Sequence, residues 1–388
     1  MTIITSNEAL AALCATLHHE NFITVDTEFL RDKTYYPQLC LIQIATEQEG
    51  YAIDALAPGI DLTVLGEVFA NQQVIKVFHS ARQDIEILLG LFGAVPTPLF
   101  DTQVAAMVCG FGESASYETL VSKLVGAAID KSCRFTDWSQ RPLSEKQYQY
   151  ALSDVTYLRV VYKRLIEMLG ATGRAEWLAE EMAKLISPAT YHLSPEDAWK
   201  KIKMRSSSEH FIGLVKVLAT WRELKARQMN LPRNHLLKEA SLLEIAAAVP
   251  ISVAELRRMR GLGGFANNEA LAMEVITVVT EYMQLPKKQA APKEPFKQGF
   301  PTNTPLVDLL KVLLKTQCEQ HNIAEKMVAG SDDLLALAHA TADTIDQLPV
   351  MQGWRYDIFG KLALDLKAGK IALSADHDKI TLVAMDTK

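Results

Sequence analysis

Two carboxylates interrupt an apolar segment near the amino terminus of the chain. The segment FITVDTEFLRD, residues 22–32, is typical of a buried strand at its start, yet it contains Asp26 and Glu28. Alternate side chains of a strand point to one face, which places these two carboxylates roughly 7 Å apart along the strand. Two unpaired carboxylates there would be costly to desolvate, and a divalent cation would offset that cost. The alternative is a solvated strand end that merely carries two acids.

Two later segments add side chains of the same chemistry. In VIKVFHSARQDIEIL, residues 74–88, a strand is followed by a short loop and then by Asp84 at the start of a helix. In QYQYALSDVTYLRVVYKRL, residues 147–165, Tyr150 and Asp154 are four residues apart, so they share one helix face. Each segment also has a structural explanation, namely a helix-capping aspartate and an ordinary Tyr–Asp pair.

The elements that must position these side chains form a mixed α/β domain. Strands are predicted over 22–27, 39–45, 50–54 and 74–78, and helices over 82–92 and 115–125. The first three strands are close together and favour hairpins, whereas the later ones alternate with helices. We therefore expect a mixed sheet flanked by helices.

After about residue 140 the apolar residues follow helical spacing, and the segment LPKKQAAPKEPFKQGFPTNTP has the composition of a linker. The predicted division is an α/β domain over 1–185, a connector over 186–207, a helical domain over 208–284, a Pro/Lys-rich linker over 285–304, a second helical domain over 305–373 and a loosely held tail over 374–388.

Composition limits the classes of partner and compartment. The chain has 388 residues and a formal net charge of −6, so any nucleic-acid site must depend on local basic patches or metal ions. Five scattered cysteines without CxxC spacing indicate free thiols in a reducing compartment. The sequence has neither a signal peptide nor a long apolar run, and no GxxxxGK[ST] loop for a nucleotide cofactor. We expect a cytoplasmic protein that does not associate with a membrane.

Taken together, the motifs resemble a known nuclease family. VDTEF, HSARQD and YALSD resemble the three exonuclease motifs of the DEDD superfamily in its tyrosine branch, and the histidine branch would place His near Gln149. LCLIQIA, FDTQVAA and KSCRFTDWSQRPLSEKQYQYALSDVTYL resemble segments of the ribonuclease D family. The resemblance implies an α/β ribonuclease H-like exonuclease domain followed by two all-α HRDC-like domains (helicase-and-RNase-D C-terminal).

The same resemblance implies roles for the five side chains. Asp26, Glu28, Asp84 and Asp154 would hold two divalent metal ions, Mg²⁺ or Mn²⁺, with Asp26 as the bridging ligand. Two such ions stabilise both the attacking and the leaving oxygen of a phosphodiester and acidify the attacking water. Tyr150 would orient that water, because a phenol with a pKa of about 10 is a poor base at neutral pH.

Several further residues are candidate substrate contacts. Phe29 and Leu30 could wedge against the terminal base, although core packing explains them equally well. His79 could contact the ligand, although a lone His after a strand is more often structural. Arg141 could bind a phosphate, and Asp101 is expected to cap the helix that follows it.

The first helical domain contributes basic residues. WRELKARQMNLPRNHLLKE resembles an HRDC domain, a nucleic-acid-binding module, and residues 305–373 resemble a more divergent second copy. Basic residues of this domain are Arg222, Lys225, Arg227, Arg233, Lys238, Arg257, Arg258 and Arg260. Charged helix faces are usually only solvated, but in an acidic chain such clusters make a plausible surface for phosphates. Arg222 and Arg233 are the candidate RNA contacts.

The leading interpretation is a metal-dependent 3′→5′ exoribonuclease. By resemblance it would act as a monomer on RNA with a free 3′ end, such as tRNA precursors, and release nucleoside 5′-monophosphates. A DNA 3′→5′ exonuclease shares the same metal chemistry and stays open as an alternative. A catalytically inactive nucleic-acid-binding adaptor is the alternative from another class, and the intact set of four acids and one tyrosine argues against it.

Overall fold

A six-stranded mixed sheet forms the centre of the amino-terminal domain, in a computed structural model that describes residues 3–192, 194–204, 208–285, 304–377 and 379–385. The strands are β1 Ile3–Ile4, β2 Phe22–Leu30, β3 Gln38–Ala45, β4 Gly50–Asp54, β5 Ile75–Phe78 and β6 Leu99–Asp101. Their order in the sheet is β1-β4-β3-β2-β5-β6. The β2–β3 and β3–β4 pairs are antiparallel, and the remaining pairs are parallel. The predicted mixed sheet is confirmed; β1 and β6 are too short to give a sequence pattern.

Helices cover this sheet. They are α1 Asn7–Leu17, α2 Thr63–Ala70, α3 Arg82–Phe92, α4 Thr102–Val108, α5 Tyr117–Leu120, α6 Glu145–Thr172 and α7 Ala175–Ile186, with a π-helical turn over Val121–Val125. Helix α6 begins with a capping box between Ser144 and Gln147 and ends at Gly173, whose φ of 67° suits glycine. The Thr24 hydroxyl on β2 donates to the Val155 carbonyl at 2.8 Å, which fixes α6 against the sheet.

Strand β2 changes character along its length. Phe22, Ile23 and Val25 are buried in the domain core, whereas Asp26 and Glu28 are half-buried at a point where the strand leaves it. The register places Asp26 opposite Gln43 and Glu28 opposite Leu41 on β3, with an irregularity directly after Glu28. The apolar first half therefore holds the strand rigidly, and the second half presents its acids.

The first helical domain follows two short 3₁₀ turns, Pro188–Thr190 and Pro195–Lys201. Its helices are α8 Glu209–Met229, α9 Arg233–Leu236, α10 Glu239–Ala248, α11 Val253–Arg258, α12 Gly263–Asn267 and α13 Glu269–Gln284. Buried residues of these helices, such as Leu214, Leu242 and Val275, form a core separate from that of the α/β domain. The predicted helical region is confirmed.

A buried glutamate connects this helical domain to the α/β domain. Glu223 on α8 is fully buried and forms ion pairs with Arg227 and Arg233. The Tyr35 hydroxyl, from the loop between β2 and β3, donates a hydrogen bond to the same carboxylate. Burial acts to raise the pKa of Glu223, but hydrogen bonds from Arg233, Tyr35 and Arg227 outweigh it and lower the pKa to about 2.

Replacing Glu223 with Gln should lower the free energy of unfolding by about 3 kcal/mol, because two arginines would lose their shared counter-charge. Since the folded-state pKa is depressed, this stabilisation should be present above pH 4.5 and disappear as the pH falls toward 2. Urea unfolding at pH 7 would measure it, with Glu244→Gln on the exposed side of α10 as the matched control. Equal stability of the two variants would contradict the assignment.

The second helical domain packs directly against the α/β domain. It contains α14 Pro305–His321, α15 Glu325–Val328, α16 Ser331–His339, α17 Gly353–Arg355 and α18 Lys361–Lys367, with short turns over Ile345–Gln347, Pro349–Met351 and Tyr356–Gly360. Its buried residues, including Leu310 and Phe359, belong to the same apolar cluster as the core of the sheet. Trp177 on α7 stacks on Trp354 with ring centroids 4.6 Å apart, and Arg355 pairs with Glu180 and Glu181. The predicted linker lies almost entirely outside the described residues, at 286–303.

The carboxyl-terminal segment is more ordered than predicted. Strands β7 Ile371–Asp376 and β8 Lys379–Ala384 form an antiparallel hairpin, so the prediction of a loosely held tail over 374–388 is wrong for the described residues up to 385. Leu373 and Leu382 pack against the main apolar cluster, which explains the order. The alternation of polar and apolar residues in KITLV was the overlooked signal.

The cysteines and the apolar character of the helices can be compared with the sequence analysis. All five cysteines are free thiols, as predicted, and the structure shows in addition that all five are buried. Across the described part of the chain, no helix combines the length and the apolar character needed to cross a membrane.

Candidate active site

Three carboxylates from two distant segments converge at one end of β2. Asp26 and Glu28 lie on β2, and Asp154 lies on α6, whose position is set by the Thr24–Val155 hydrogen bond. One carboxylate oxygen from each of the three acids lies within 4.8 Å of the others. Both predicted geometries are therefore present, namely two acids on one strand face and an acid on the helix that covers it.

The fourth acid, Asp84, lies on the helix that follows β5, the strand next to β2. It lies in the first turn of α3 and is buried, and its carboxylate accepts a hydrogen bond of 2.5 Å from the Thr27 hydroxyl. Asp84 is outside the group of three, but it lines the same cavity and its charge acts on Glu28. It is thus placed by β2 itself rather than serving as a helix cap.

Asp101 fixes the loop that leads to Asp84. Its carboxylate caps α4, as predicted, by accepting from the backbone of Gln103 at 2.8 Å. It also accepts from the backbone N–H groups of Ser80 and Ala81, at 3.0 and 2.8 Å. Ser80 has a φ of 60°, a strained value for a non-glycine residue, and these bonds support it. This second role was missed because it requires two strands to be adjacent in space.

Burial raises the pKa of all four acids, and the charges of neighbouring carboxylates add to this rise for Asp26, Glu28 and Asp84. Burial, followed by the charge of Asp154, raises the pKa of Asp26 well above its usual range. Burial and the charges on Asp26, Asp154 and Asp84 raise the pKa of Glu28 to about 10. Burial also raises the pKa of Asp154 to about 7, and burial together with the charge on Asp26 raises that of Asp84. Such mutual repulsion is unfavourable unless cations neutralise it.

The donor chemistry of this cluster fits divalent cations. Mg²⁺ and Mn²⁺ prefer oxygen ligands, and all four acids supply them without any competing sulfur or imidazole ligand among the described residues of the cluster. The charge on Asp154 acts on Asp26, and the charge on Asp26 acts on Asp84, so the acids form one electrostatic group. The fold and the acidic cluster together support dependence on divalent metal.

Tyr150 lies one helical turn before Asp154 and faces the same cavity. Its phenol is hydrogen-bonded to the Asp154 carboxylate, and burial together with nearby negative charge raises the pKa of Tyr150 above that of a free phenol. The hydroxyl therefore stays protonated at neutral pH and acts as a hydrogen-bond donor. Trp138 supports the ring, with centroids 6.0 Å apart.

A cavity of about 580 Å³ opens over the acids. Phe29 and His79, two of the predicted substrate contacts, line it. His79 is also held from behind, since its Nδ1 is 3.0 Å from the Thr102 hydroxyl and its ring packs on Tyr117. Leu30 does not line the cavity; it packs against the small apolar cluster around Trp138, so core packing explains it.

Arg141 does not have the free guanidinium that a phosphate contact requires. It forms a bidentate ion pair with Asp54, with both distances 2.6 Å. Its remaining donors bond the carbonyls of Trp138, Gln140 and Cys40, each at 2.8 Å. The structure thus contradicts the predicted phosphate role. Arg141 instead ties the loop before α6 to the sheet.

The Arg141→Ala substitution should therefore destabilise the fold rather than weaken substrate affinity. Removing one partner of a mostly buried, bidentate pair costs about 3–5 kcal/mol, because the Asp54 carboxylate is left uncompensated. Thermal unfolding would measure the loss. Arg164→Ala, which removes an exposed pair with Glu167, is the control and should cost about 0–1 kcal/mol. Similar melting temperatures for the two variants would contradict this assignment.

The two predicted basic contacts of the first helical domain are also engaged in structure. Arg222 is buried and donates to the Leu237 carbonyl at 3.2 Å, so it has no route to a ligand. Arg233 bonds Glu223 and the Tyr35 hydroxyl, and its guanidinium lies 4.9 Å from the centre of the Tyr35 ring. The prediction for Arg222 is wrong, because burial removes its guanidinium from solvent. Arg233 supports the domain contact but keeps a partly exposed side chain, so its RNA contact stays a prediction.

The sequence analysis missed several residues that line the cavity, and two of them are adjacent in the chain. Arg134 and Phe135 belong to the loop before α6 and line the same cavity as the acids. The only sequence signal was a basic residue next to an aromatic one inside a segment already assigned to the motif. Nothing in that pattern predicts which side chain of a loop faces the site.

Comparison with known proteins gives consistent results. Residues 1–170 match a 3′-5′ exonuclease family, and residues 212–265 match the HRDC domain. The chain is 46% identical over 385 residues to Ribonuclease D of Granulibacter bethesdensis, which covers 98% of this chain and 96% of that one. It is likewise 46% identical over 384 residues to Ribonuclease D of Acidiphilium cryptum, with the same coverage. The crystal structure of Escherichia coli RNase D superposes with a TM-score of 0.82 at 28% identity, covering 95% of this chain and 98% of that one.

Proposed function

The chain belongs to the ribonuclease D family and is a 3′-5′ exoribonuclease, and we propose that it trims the 3′ ends of structured RNA such as tRNA precursors by two-metal-ion hydrolysis. The observation that carries the proposal is the convergence of Asp26, Glu28 and Asp154, with Asp84 beside them, at the base of one cavity. These carboxylate oxygens suit divalent cations, and the bound cations would in turn bind a phosphodiester.

The four acids and Tyr150 would have different roles in hydrolysis. Asp26, Glu28, Asp84 and Asp154 would hold the divalent ions. The ions, when bound, supply an activated water and neutralise charge on the phosphoryl group. Tyr150, kept protonated, would donate a hydrogen bond that orients the attacking water. Phe29, next to Glu28 on the cavity wall, would contact the terminal nucleotide.

Features outside the site support the substrate class. The Escherichia coli relative is described as an exoribonuclease involved in structured RNA processing, and its fold covers nearly this whole chain. The HRDC match adds a nucleic-acid-binding type of module, and Arg257, Arg258 and Arg260 lie exposed on it. We propose that the protein acts in the cytoplasm as a monomer, that it binds the RNA body through this module, and that it releases nucleoside 5′-monophosphates.

The test is hydrolysis of matched RNA and DNA oligonucleotides with free 3′ ends, with Mg²⁺ or Mn²⁺ present. Stepwise shortening of RNA with release of 5′-monophosphates supports the proposal. Faster hydrolysis of the DNA strand would refute the RNA assignment, and internal cleavage would refute the exonucleolytic one. A tRNA precursor with a 3′ extension, compared with an unstructured RNA of equal length, tests the preference for structured RNA.

A further inference from the structure

Phe135 is exposed at the rim of the active-site cavity. The residue is 91% exposed, and it is the only phenylalanine of the described ranges that is largely open to solvent. It nevertheless lines the same cavity as the four acids. A fully exposed aromatic ring contributes little to the stability of the fold. Its position beside the site therefore indicates that it contacts a ligand.

The exposure of Phe135 is built into its loop. Cys133 on one side and Trp138 on the other are buried, so the loop is anchored on both sides of the exposed ring. The Thr136 hydroxyl donates to the Cys133 carbonyl at 2.8 Å, and the Gln147 amide of α6 donates to Thr136 at 3.3 Å. These contacts hold the turn and direct Phe135 outward.

Arg134 adds an unpaired cation next to this ring. Its guanidinium lies 5.2 Å from the centre of the Phe135 ring, and in the described part of the chain it makes no ion pair and donates no side-chain hydrogen bond. Lys131, the other cationic chain on the cavity wall, is paired with Glu118. The Arg134 charge acts on Glu28 and partly opposes the rise in the pKa of that carboxyl, so the guanidinium lies within electrostatic reach of the acids.

We propose that Arg134 and Phe135 bind the 3′-terminal segment of the RNA, with the guanidinium on a backbone phosphate and the phenyl ring stacked on a base. This inference rests on the proposed function. A cation on the wall of an acidic site favours binding of a phosphodiester, and among the described residues that line this cavity Arg134 is the cationic side chain without an ion-pair partner. Stacking suits an enzyme that shortens RNA of any sequence, because every base offers a π-face. Both are positioning residues and do not take part in bond breaking.

Binding measured without hydrolysis tests the proposal directly. Fluorescence anisotropy of a short single-stranded RNA in EDTA gives Kd, and steady-state hydrolysis with Mg²⁺ gives KM and kcat separately. Phe135→Ala should raise Kd and KM roughly 5- to 100-fold with a smaller effect on kcat, and Phe135→Tyr should restore both values. Arg134→Ala should reduce the slope of log Kd against log salt by about 0.7, the loss of one phosphate contact, whereas Phe135→Ala should not change it.

The control is Leu309→Ala, which removes an exposed apolar side chain from α14 in the second helical domain. Wild-type Kd and KM in Phe135→Ala would overturn the proposal, as would a Phe135→Tyr variant that behaves like Phe135→Ala. If the wild-type protein hydrolyses no RNA, the proposed function fails, and the anisotropy measurements still decide whether this pair binds RNA.

Discussion

Replacing Asp26 with Asn is expected to lower kcat on RNA by about 10³-fold or more. Loss of a residue that merely orients a metal ligand typically costs about 10–100-fold, and Asp26 would be a ligand shared between both ions. Asn keeps the shape of the side chain but removes the charge on which cation binding depends. A 10³-fold loss corresponds to about 4 kcal/mol of transition-state stabilisation.

The fold should survive this substitution. In the metal-free protein the Asp26 carboxylate is repelled by Asp154 and desolvated, so its removal relieves an unfavourable interaction. The melting temperature of Asp26→Asn in EDTA should therefore equal or exceed that of the wild type. Asp343→Asn, an exposed acid of the second helical domain, is the matched control and should retain full activity. Activity of Asp26→Asn within tenfold of the wild type would contradict the account.

Removal of divalent metal is expected to abolish hydrolysis completely, and addition of Mg²⁺ or Mn²⁺ should restore it. The same addition should stabilise the folded protein, because the unfolded chain has no assembled acidic cluster to bind the ions. At a free concentration 100-fold above Kd, binding at one site contributes about 2.7 kcal/mol. Differential scanning fluorimetry with and without EDTA measures this shift, and activity assays on the same samples measure the loss.

The pH dependence of the metal effect has a definite sign. The pKa of Glu28 is raised to about 10 and that of Asp154 to about 7, so below those pH values each carboxyl binds a proton that a cation must displace. Metal affinity and the stabilisation by metal should therefore weaken as the pH falls from about 10 through 7. Asp26→Asn should show a much smaller stabilisation at every pH. An equal metal-induced shift in the variant would place the ions elsewhere.

Local periodicity accounts for what the sequence predicted well. The alternation of side chains along β2 placed Asp26 and Glu28 on one face, and the four-residue spacing on α6 placed Tyr150 beside Asp154. These relations depend only on the geometry of a single element. The resemblance of the motifs to a nuclease family then supplied the joint arrangement with Asp84, which no local pattern contains.

The partners of the arginines could not be predicted from local sequence patterns. Arg141 pairs with Asp54, 87 residues away, and Arg233 bonds Tyr35, 198 residues away. The sequence around a basic residue does not show whether a carboxylate far away in the chain will form an ion pair with it. Arg134 shows the opposite outcome, because no described carboxylate forms an ion pair with it although it lies beside the acids.

Crystals of the protein soaked or grown with Mn²⁺ give the most direct test of the central claim, because anomalous scattering identifies the ion independently of the protein atoms. We expect two anomalous peaks, about 3.5–4 Å apart, coordinated by Asp26, Glu28, Asp84 and Asp154. No peak among these four carboxylates at saturating Mn²⁺, in protein that hydrolyses RNA, would contradict the account.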